Sequence, residues 1–318
     1  MRLLPVSRKV AWGRGARSIR LACRRFHHVR WRRASPRLLR FLPYPGRVAR
    51  YGQPQSGPRP LRARDRRRGA GPGVPGGRGS GSRASRGGGR PGGSGGAADG
   101  EPQEVFLTHL HSDHTLGLPD LMLSPWVLFR TVPLAVYGPR GTRTLTRHLL
   151  EAYAADIDNR RRGAQPHNDT GWQAQAHEIR PGVVYRDDLV TVIAFSVPHA
   201  GWREAYGYRF ETPDRTIVIS GDTRPDDAVV RACDGCDVLV HEVYAQEGFD
   251  RLPPEWRRYH AGAHTSGVAL GVLAARARPK LLVLTHGLPW SSTEAEIVRE
   301  VRAGFSGAVA YANDLDIY

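Results

Sequence analysis

Three histidines and one aspartate fall within the six residues His109-Leu110-His111-Ser112-Asp113-His114. They follow directly on the apolar run Val105-Phe106-Leu107. An apolar run that ends abruptly in polar residues reads as a buried strand whose C-terminal end opens into a site. Residues two apart on extended backbone project to one side, so His109 and His111 share a face. Asp113 and His114 follow where the chain turns away. Imidazole nitrogen and carboxylate oxygen are the donors that zinc and similar divalent ions take. Four such groups exceed the need of one tetrahedral ion with an open position, so the spacing points to two adjacent ions. The bland alternative is a histidine-rich polar loop. Residue type, spacing and strand-end placement together favour metal.

Candidate donors recur where later apolar runs end. Val197-Pro198-His199 closes one run, Ile219-Ser220-Gly221-Asp222 a second, and Leu284-Thr285-His286 a third. A sheet edge holds such groups rigidly. Taken singly, each of His199, Asp222 and His286 is more often an ordinary polar residue.

HLHSDH resembles the HxHxDH signature of the metallo-β-lactamase superfamily. The flanking Thr108 and Thr115-Leu116-Gly117-Leu118-Pro119 look most like its branch of zinc phosphodiesterases and arylsulfatase-like hydrolases, the branch that includes tRNase Z. The resemblance runs from about Glu104 to Tyr318. It implies two divalent metal ions, with Zn2+ the expected identity. His109, His111 and His199 would hold one ion, Asp113, His114 and His286 the other, and Asp222 would bridge them. The ions would activate a water for attack on a phosphorus, sulfur or carbonyl centre. Asp113 would orient that water or accept its proton. His264, in Ala263-His264-Thr265-Ser266, resembles the branch's proton-donating histidine. Glu242, in His241-Glu242-Val243-Tyr244, resembles the carboxylate that holds that imidazole charged and turned. Asp113, His264 and Glu242 are thus the expected catalytic residues. The remaining histidines are expected to bind no metal.

The elements that must position these groups alternate from Glu104 onward. Leu116–Leu123 reads as a short helix, Leu134–Tyr137 as a strand, and 142–155 as a helix, with 160–171 a polar loop. Leu189–Val197 is a strand. Tyr206–Glu211 and Thr216–Ser220 form a hairpin across Pro213-Asp214. Asp226–Ala232 is helical, Val238–Val240 a strand, and Gly262–Ala277 an alanine-rich helix. Leu281–Leu284 is a buried strand, Ser292–Arg302 a helix capped by serine or threonine, and Ala308–Tyr311 a last strand. Alternation of this kind indicates a layered α/β domain. With the resemblance, the expected fold is an αββα metallo-β-lactamase-type sandwich over residues 104–318.

Charge is unevenly distributed. The first hundred residues hold 25 of the 47 Lys and Arg against two acids, Asp65 and Asp99. The rest carries 22 basic residues and 28 acids, a net of −6. From Gly69 to Gly100 nearly every second residue is glycine. Such a stretch cannot bury enough apolar surface to offset its ordering entropy. Residues 1–103 are therefore expected to be a disordered or non-native Arg/Gly/Pro-rich segment. Three origins compete: a basic tail, an Arg-rich targeting segment, and a wrong start or frame error in a GC-rich gene. The last is favoured, because the superfamily's strands that precede the HxHxDH strand are missing or scrambled here. Loss of those strands would leave that strand without neighbours and loosen the metal site.

Three cysteines, Cys23, Cys233 and Cys236, are too few for a disulfide framework and fit a reducing, cytoplasmic setting. Cys233 and Cys236 are expected in a helix-to-strand turn. No apolar stretch approaches the ~18 residues of a membrane span. The expected partner is a small-molecule or RNA phosphodiester substrate, not a membrane, and a homodimer is left open. A tRNase Z-like phosphodiesterase leads. Relatives that process tRNA carry an arm between the residues matching His199 and Asp222, and the 22 residues available here leave no length for one. An arylsulfatase-like or other small-molecule ester hydrolase is the second reading. A non-enzymatic, basic nucleic-acid-binding protein led by the tail is the third.

Overall fold

Two parallel strands, β1 (Ser18–Ala22) and β2 (Pro102–Leu107), begin the fold in this computed structural model, which describes residues 18–22, 102–314 and 316–318. All of these belong to one compact unit. β2 leads into α1 (Ser112–Thr115) and α2 (Leu118–Val127). Then come β3 (Leu134–Gly138), α3 (Thr142–Ala152), α4 (Ala154–Arg162) and β4 (Ala174–Glu178). The four strands form one parallel sheet in the order β1-β2-β3-β4.

A second sheet has seven strands. They are β5 (Gly182–Arg186), β6 (Thr191–Ser196), β7 (Tyr206–Thr212), β8 (Arg215–Ile219), β9 (Val238–Tyr244), β10 (Leu281–Leu288) and β11 (Ala308–Tyr311), and they lie side by side in the order β11-β10-β9-β8-β7-β6-β5. Between them run α5 (Asp227–Cys233), α6 (Gln246–Asp250), α7 (Pro254–Ala263), α8 (Gly267–Ala277) and α9 (Glu294–Gly304). β5 to β8 pair antiparallel and β8 to β11 parallel. Hence β6, β8, β9 and β10 all run the same way, and their C-terminal ends share one edge.

The period of two in these strands sorts side chains into two cores. Ile217, Ile219, Val238, Val240 and Val283 pack with Val105, Phe106 and Leu107 of β2. The alternate residues Val218, Leu239, Leu282 and Leu284 pack with Val229, Leu270, Leu273, Ile297 and Val301 of α5, α8 and α9. The result is a layered α/β sandwich. Phe106 is fully buried at its centre, stacked on Tyr137 at 5.0 Å and edge-on to Tyr208 at 5.6 Å and Phe210 at 5.7 Å. Burying such a ring contributes about 2–3 kcal/mol. The Tyr208 hydroxyl donates to the Leu107 carbonyl at 2.7 Å, which ties the sheets together just before the histidines begin.

Several expectations change. The reading of residues 1–103 as disordered or non-native falls outside the described residues except at 18–22 and 102–103. There β1 pairs along β2, so the motif strand has neighbours on both sides. Main-chain pairing satisfies groups that a lone edge would expose. The polar stretch from 160 begins as the last turn of α4, where Arg160 pairs with Asp156. The single helix expected over Gly262–Ala277 is two. His264 is extended at φ −138, and the Ser266 hydroxyl caps α8 by accepting from the Ala269 N–H. β9 continues four residues past Val240, because His241 and Glu242 are polar but buried. Cys233 and Cys236 do lie in the turn between α5 and β9, and they are joined there by a disulfide.

Candidate metal centre

The site lies where β2 of the first sheet meets the common strand edge of the second. His109 and His111 follow β2, and α1 then carries Asp113 and His114 on its single turn. The Thr115 hydroxyl and the His114 N–H both donate to the His111 carbonyl, at 3.0 Å each, which fixes that turn. His199 follows β6 and Asp222 follows β8. Gly221 makes the second turn possible. Its φ is +63, and a Cβ there would lie 2.7 Å from the Tyr206 carbonyl and 3.1 Å from Thr108. His286 sits on β10 at a register shift against β9, with φ +46. A non-glycine residue held in that region is a strained feature that clusters at functional sites.

These residues converge. Ligand-capable atoms of His109, His111 and His199 lie within 4.8 Å of one another, as do those of Asp113, His114 and His286, and those of His109, His114 and Asp222. Asp222 Oδ2 stands 3.1 Å from His114 Nε2 and 3.6 Å from His286 Nε2. The hydrogen bonds set the tautomers. His199 Nδ1–H donates to the Ala263 carbonyl at 2.8 Å, so its Nε2 lone pair faces inward. The Trp202 indole N–H donates to His111 Nε2 at 2.8 Å, which leaves the His111 proton on Nδ1. That proton points between His109 Nε2 at 2.9 Å and His199 Nε2 at 3.2 Å. Asp222 Oδ1 is buried without a hydrogen-bond partner among the described residues. An orphaned carboxylate oxygen among inward-facing imidazoles is what a cation site requires.

Residues 94–287 match the family model described as a beta-lactamase superfamily domain, and that stretch is well over half of the chain. The chain belongs to the metallo-β-lactamase superfamily. Among its relatives is a ribonuclease Z of Mycobacterium bovis (strain BCG / Pasteur), 31% identical over 218 residues, which are 66% of this chain and 77% of that protein. A ribonuclease Z of Mycobacterium sp. (strain KMS) is 34% identical over 187 residues, 58% of this chain and 65% of that protein. These likenesses are to the ribonuclease Z branch. Among solved structures, human tRNase Z, short form, aligns at 22% identity and a TM-score of 0.49, covering 68% of this chain and 78% of that one.

The electrostatics of this superfamily site suit metal. Burial pushes His109 down to about 2 and His199 to about 4, so their imidazoles are neutral with lone pairs to give. Burial alone would raise both aspartates. Hydrogen bonds from His114 and His286 reverse this for Asp113, and the charges of His286 and His114 reverse it for Asp222, so both stay carboxylates.

Beside the ligand cluster lies the His264–Glu242 pair. His264 Nδ1 is 3.4 Å from Glu242 Oε2, and the Thr265 N–H donates to Glu242 Oε1 at 2.7 Å. The resemblance implies a carboxylate that keeps the imidazole charged. Instead, burial pushes His264 down to about 4, while burial and the Asp222 charge hold Glu242 well above the usual carboxyl range. The pair therefore keeps its proton on the carboxyl. Trp202, which fixes the His111 tautomer, went unnoticed in the sequence. Its only signal was its place three residues after His199.

Proposed function

We propose that this chain is a metal-dependent phosphodiesterase of the ribonuclease Z kind, acting on RNA with two zinc ions. Residues 104–318 are its hydrolase domain. The observation that carries the reading is the convergence of five imidazoles and two carboxylates, His109, His111, Asp113, His114, His199, Asp222 and His286, from strand ends of both sheets. Mixed nitrogen and oxygen donors of this kind suit zinc. His109, His111 and His199 would hold one ion, and Asp113, His114 and His286 the other, with Asp222 between them. When bound, such ions supply Lewis acidity and lower the pKa of water.

The protein's own groups do the rest. Asp113, about one-fifth exposed, orients the attacking water. His264 delivers its Nε2 proton to the leaving oxygen and takes up at Nδ1 the proton that Glu242 holds 3.4 Å away. Buried walls around His109 and His114 exclude bulk water, which strengthens each of these interactions.

The chain between His199 and Asp222 supports a second reading. It is spent on the turn at Trp202 and the β7–β8 hairpin. No length is left to grip a folded RNA at a distance, so a small phosphodiester or sulfate ester fits the same site. The purified, zinc-loaded protein should be assayed on bis-p-nitrophenyl phosphate, an aryl sulfate and a precursor tRNA, each with and without chelator. Chelator-sensitive release of the tRNA trailer is expected. Turnover of the aryl sulfate alone would favour the second reading, and chelator-insensitive turnover would overturn both.

A further inference from the structure

Two side-chain atoms beside the converging donors have no hydrogen-bond partner among the described residues. They are Glu242 Oε2 and His264 Nδ1, both buried and 3.4 Å apart. The residues that carry them are 1% and 6% exposed, so water does not reach them freely. Polar atoms buried in this way are costly unless something pairs with them. Glu242 is held in place by its other oxygen, which accepts from the Thr265 N–H at 2.7 Å. That leaves Oε2 to face the imidazole.

A ring nitrogen of His286 completes a set of three. Ligand-capable atoms of Glu242, His264 and His286 lie within 4.8 Å of one another, and all three residues are buried. Adjacent strands bring two of them together. Glu242 on β9 pairs with Thr285 on β10, so His286, the next residue, stands beside it. His264 enters from the end of α7 and stacks on His286 at 5.8 Å and 16°. One carboxylate oxygen and two imidazole nitrogens are a donor set for zinc, with a fourth position left for water. Neither Glu242 nor His264 is among the residues assigned to the two ions. His286 is shared, since its Nε2 lies 3.5 Å from Asp113 and 3.6 Å from Asp222. An imidazole has two ring nitrogens, so one ring can serve ions on both sides.

We propose that Glu242, His264 and His286 form a third divalent-cation site, weaker than the two already described, and that an ion bound there shuts off proton delivery. The proposal rests on the phosphodiesterase reading and adds a regulation of that same site. The third site is the weaker one because it shares His286 and lies next to two other dications. Repulsion between like charges is strong where water is excluded. The first two ions therefore fill first, and zinc in excess fills the third site. There it takes His264 Nδ1 and Glu242 Oε2, the two atoms between which the proton passes during turnover. The imidazole can then no longer be recharged for the leaving oxygen. The attacking water, on the other side of the cluster at Asp113, keeps its place.

The test uses the full chain, stripped with chelator, and zinc itself as the probe. Equilibrium dialysis against rising free zinc, with metal measured per chain, should show two tight ions and then a third. Glu242→Gln keeps an oxygen for the Thr265 N–H, so it should hold the first two ions and lose the third. His264→Ala should do the same by removing the other ligand. Over the zinc range in which the third ion binds, cleavage of an RNA phosphodiester by wild type should fall by about 10²–10⁴, the contribution of a general acid. Bis-p-nitrophenyl phosphate, whose leaving group needs no proton, should lose less than about tenfold. A wild type that stops at two ions, or a third ion that persists in both variants, would overturn the proposal. So would excess zinc that slows both substrates alike, since the ion would then act on the attacking water. Hydrolysis of bis-p-nitrophenyl phosphate with two ions bound is scored separately. Its absence in a chain that binds a third ion sinks the phosphodiesterase reading, whereas its presence in a chain that stops at two sinks only the third site.

Discussion

The Trp202 indole N–H donates to His111 Nε2 at 2.8 Å, and this contact decides which nitrogen of His111 carries the proton. Indole can only donate, so Nε2 must accept and Nδ1 must be protonated. Nδ1 is also the nitrogen that faces His109 and His199. For it to give a lone pair to a cation, the ring proton has to move to Nε2, where the indole already points a donor. Two donors cannot hold that separation, so Trp202 must turn away on metal loading. Tryptophan emission of chelator-stripped protein is therefore expected to change on zinc titration, and Trp202→Phe should lose that component. The variant should bind zinc no more weakly than wild type. An unchanged emission difference between the two, or tenfold weaker binding by the variant, would show that the indole supports the loaded site instead.

His264 lies 3.4 Å from Glu242 and also falls in two candidate donor groups, one with His199 and Asp222 and one with Glu242 and His286, so a proton donor has to be told apart from a metal ligand. General acid catalysis matters most when the leaving group is a poor one. His264→Ala is expected to slow cleavage of an RNA phosphodiester by about 10²–10⁴. Bis-p-nitrophenyl phosphate releases a nitrophenolate that needs no proton, so its rate should fall less than about tenfold. Glu242→Gln should act in the same direction on RNA. Equal losses on both substrates would mean that His264 serves the metals rather than the leaving group.

The strand ends were legible because apolar runs stop abruptly at His109, His199, Asp222 and His286, and backbone pairing holds the last three on one edge of the second sheet, where β2 of the first brings His109. Their convergence was not readable from spacing, since it depends on which strands pair. It came from the resemblance. Other features were hidden for physical reasons. β4 and β5 lie at sheet edges and are half exposed, so their alternation is faint. β9 outruns its apolar signal because buried His241 and Glu242 look like loop residues in sequence. The break at His264 lies between two alanine-containing helical stretches, and Gly262, Thr265, the Ser266 cap and Gly267 mark it only locally. α7 escaped notice because its aromatics point outward and give no apolar stripe.

Acid should destabilise the metal-free protein. His241 is fully buried, and burial pushes it down to about 4 from a usual 6.5. Unfolded, it regains the usual value. Below that pH the unfolded chain takes up a proton that the folded chain refuses. Its contribution is thus complete above about 6.5 and is lost as pH falls toward 4. Between pH 7 and pH 5 this amounts to about 2 kcal/mol. Glu242, held above the carboxyl range, works in the opposite direction. The measurement therefore compares urea midpoints of chelator-stripped wild type and His241→Asn at both pH values. The drop on acidification should be smaller in the variant, and an identical drop would remove His241 from the account.

Gly221 separates two demands that a glycine can meet, and a second glycine serves as its control. Gly221 and Gly235 both have positive φ, +63 and +81. A Cβ at Gly235 would meet nothing within 4 Å, whereas one at Gly221 would meet the Tyr206 carbonyl and Thr108, next to His109. Gly235→Ala should therefore show backbone strain alone, about 1 kcal/mol. Gly221→Ala adds overpacking against the motif strand, for a total of about 2–4 kcal/mol. It should also displace Asp222 from its neighbours and weaken zinc binding about tenfold or more, as when a metal site loses its supporting contacts. Thermal midpoints and zinc retention after dialysis measure the two effects. If both alanine variants melt together and retain zinc equally, the close approach of the Asp222 turn to β2 does not hold the site in place.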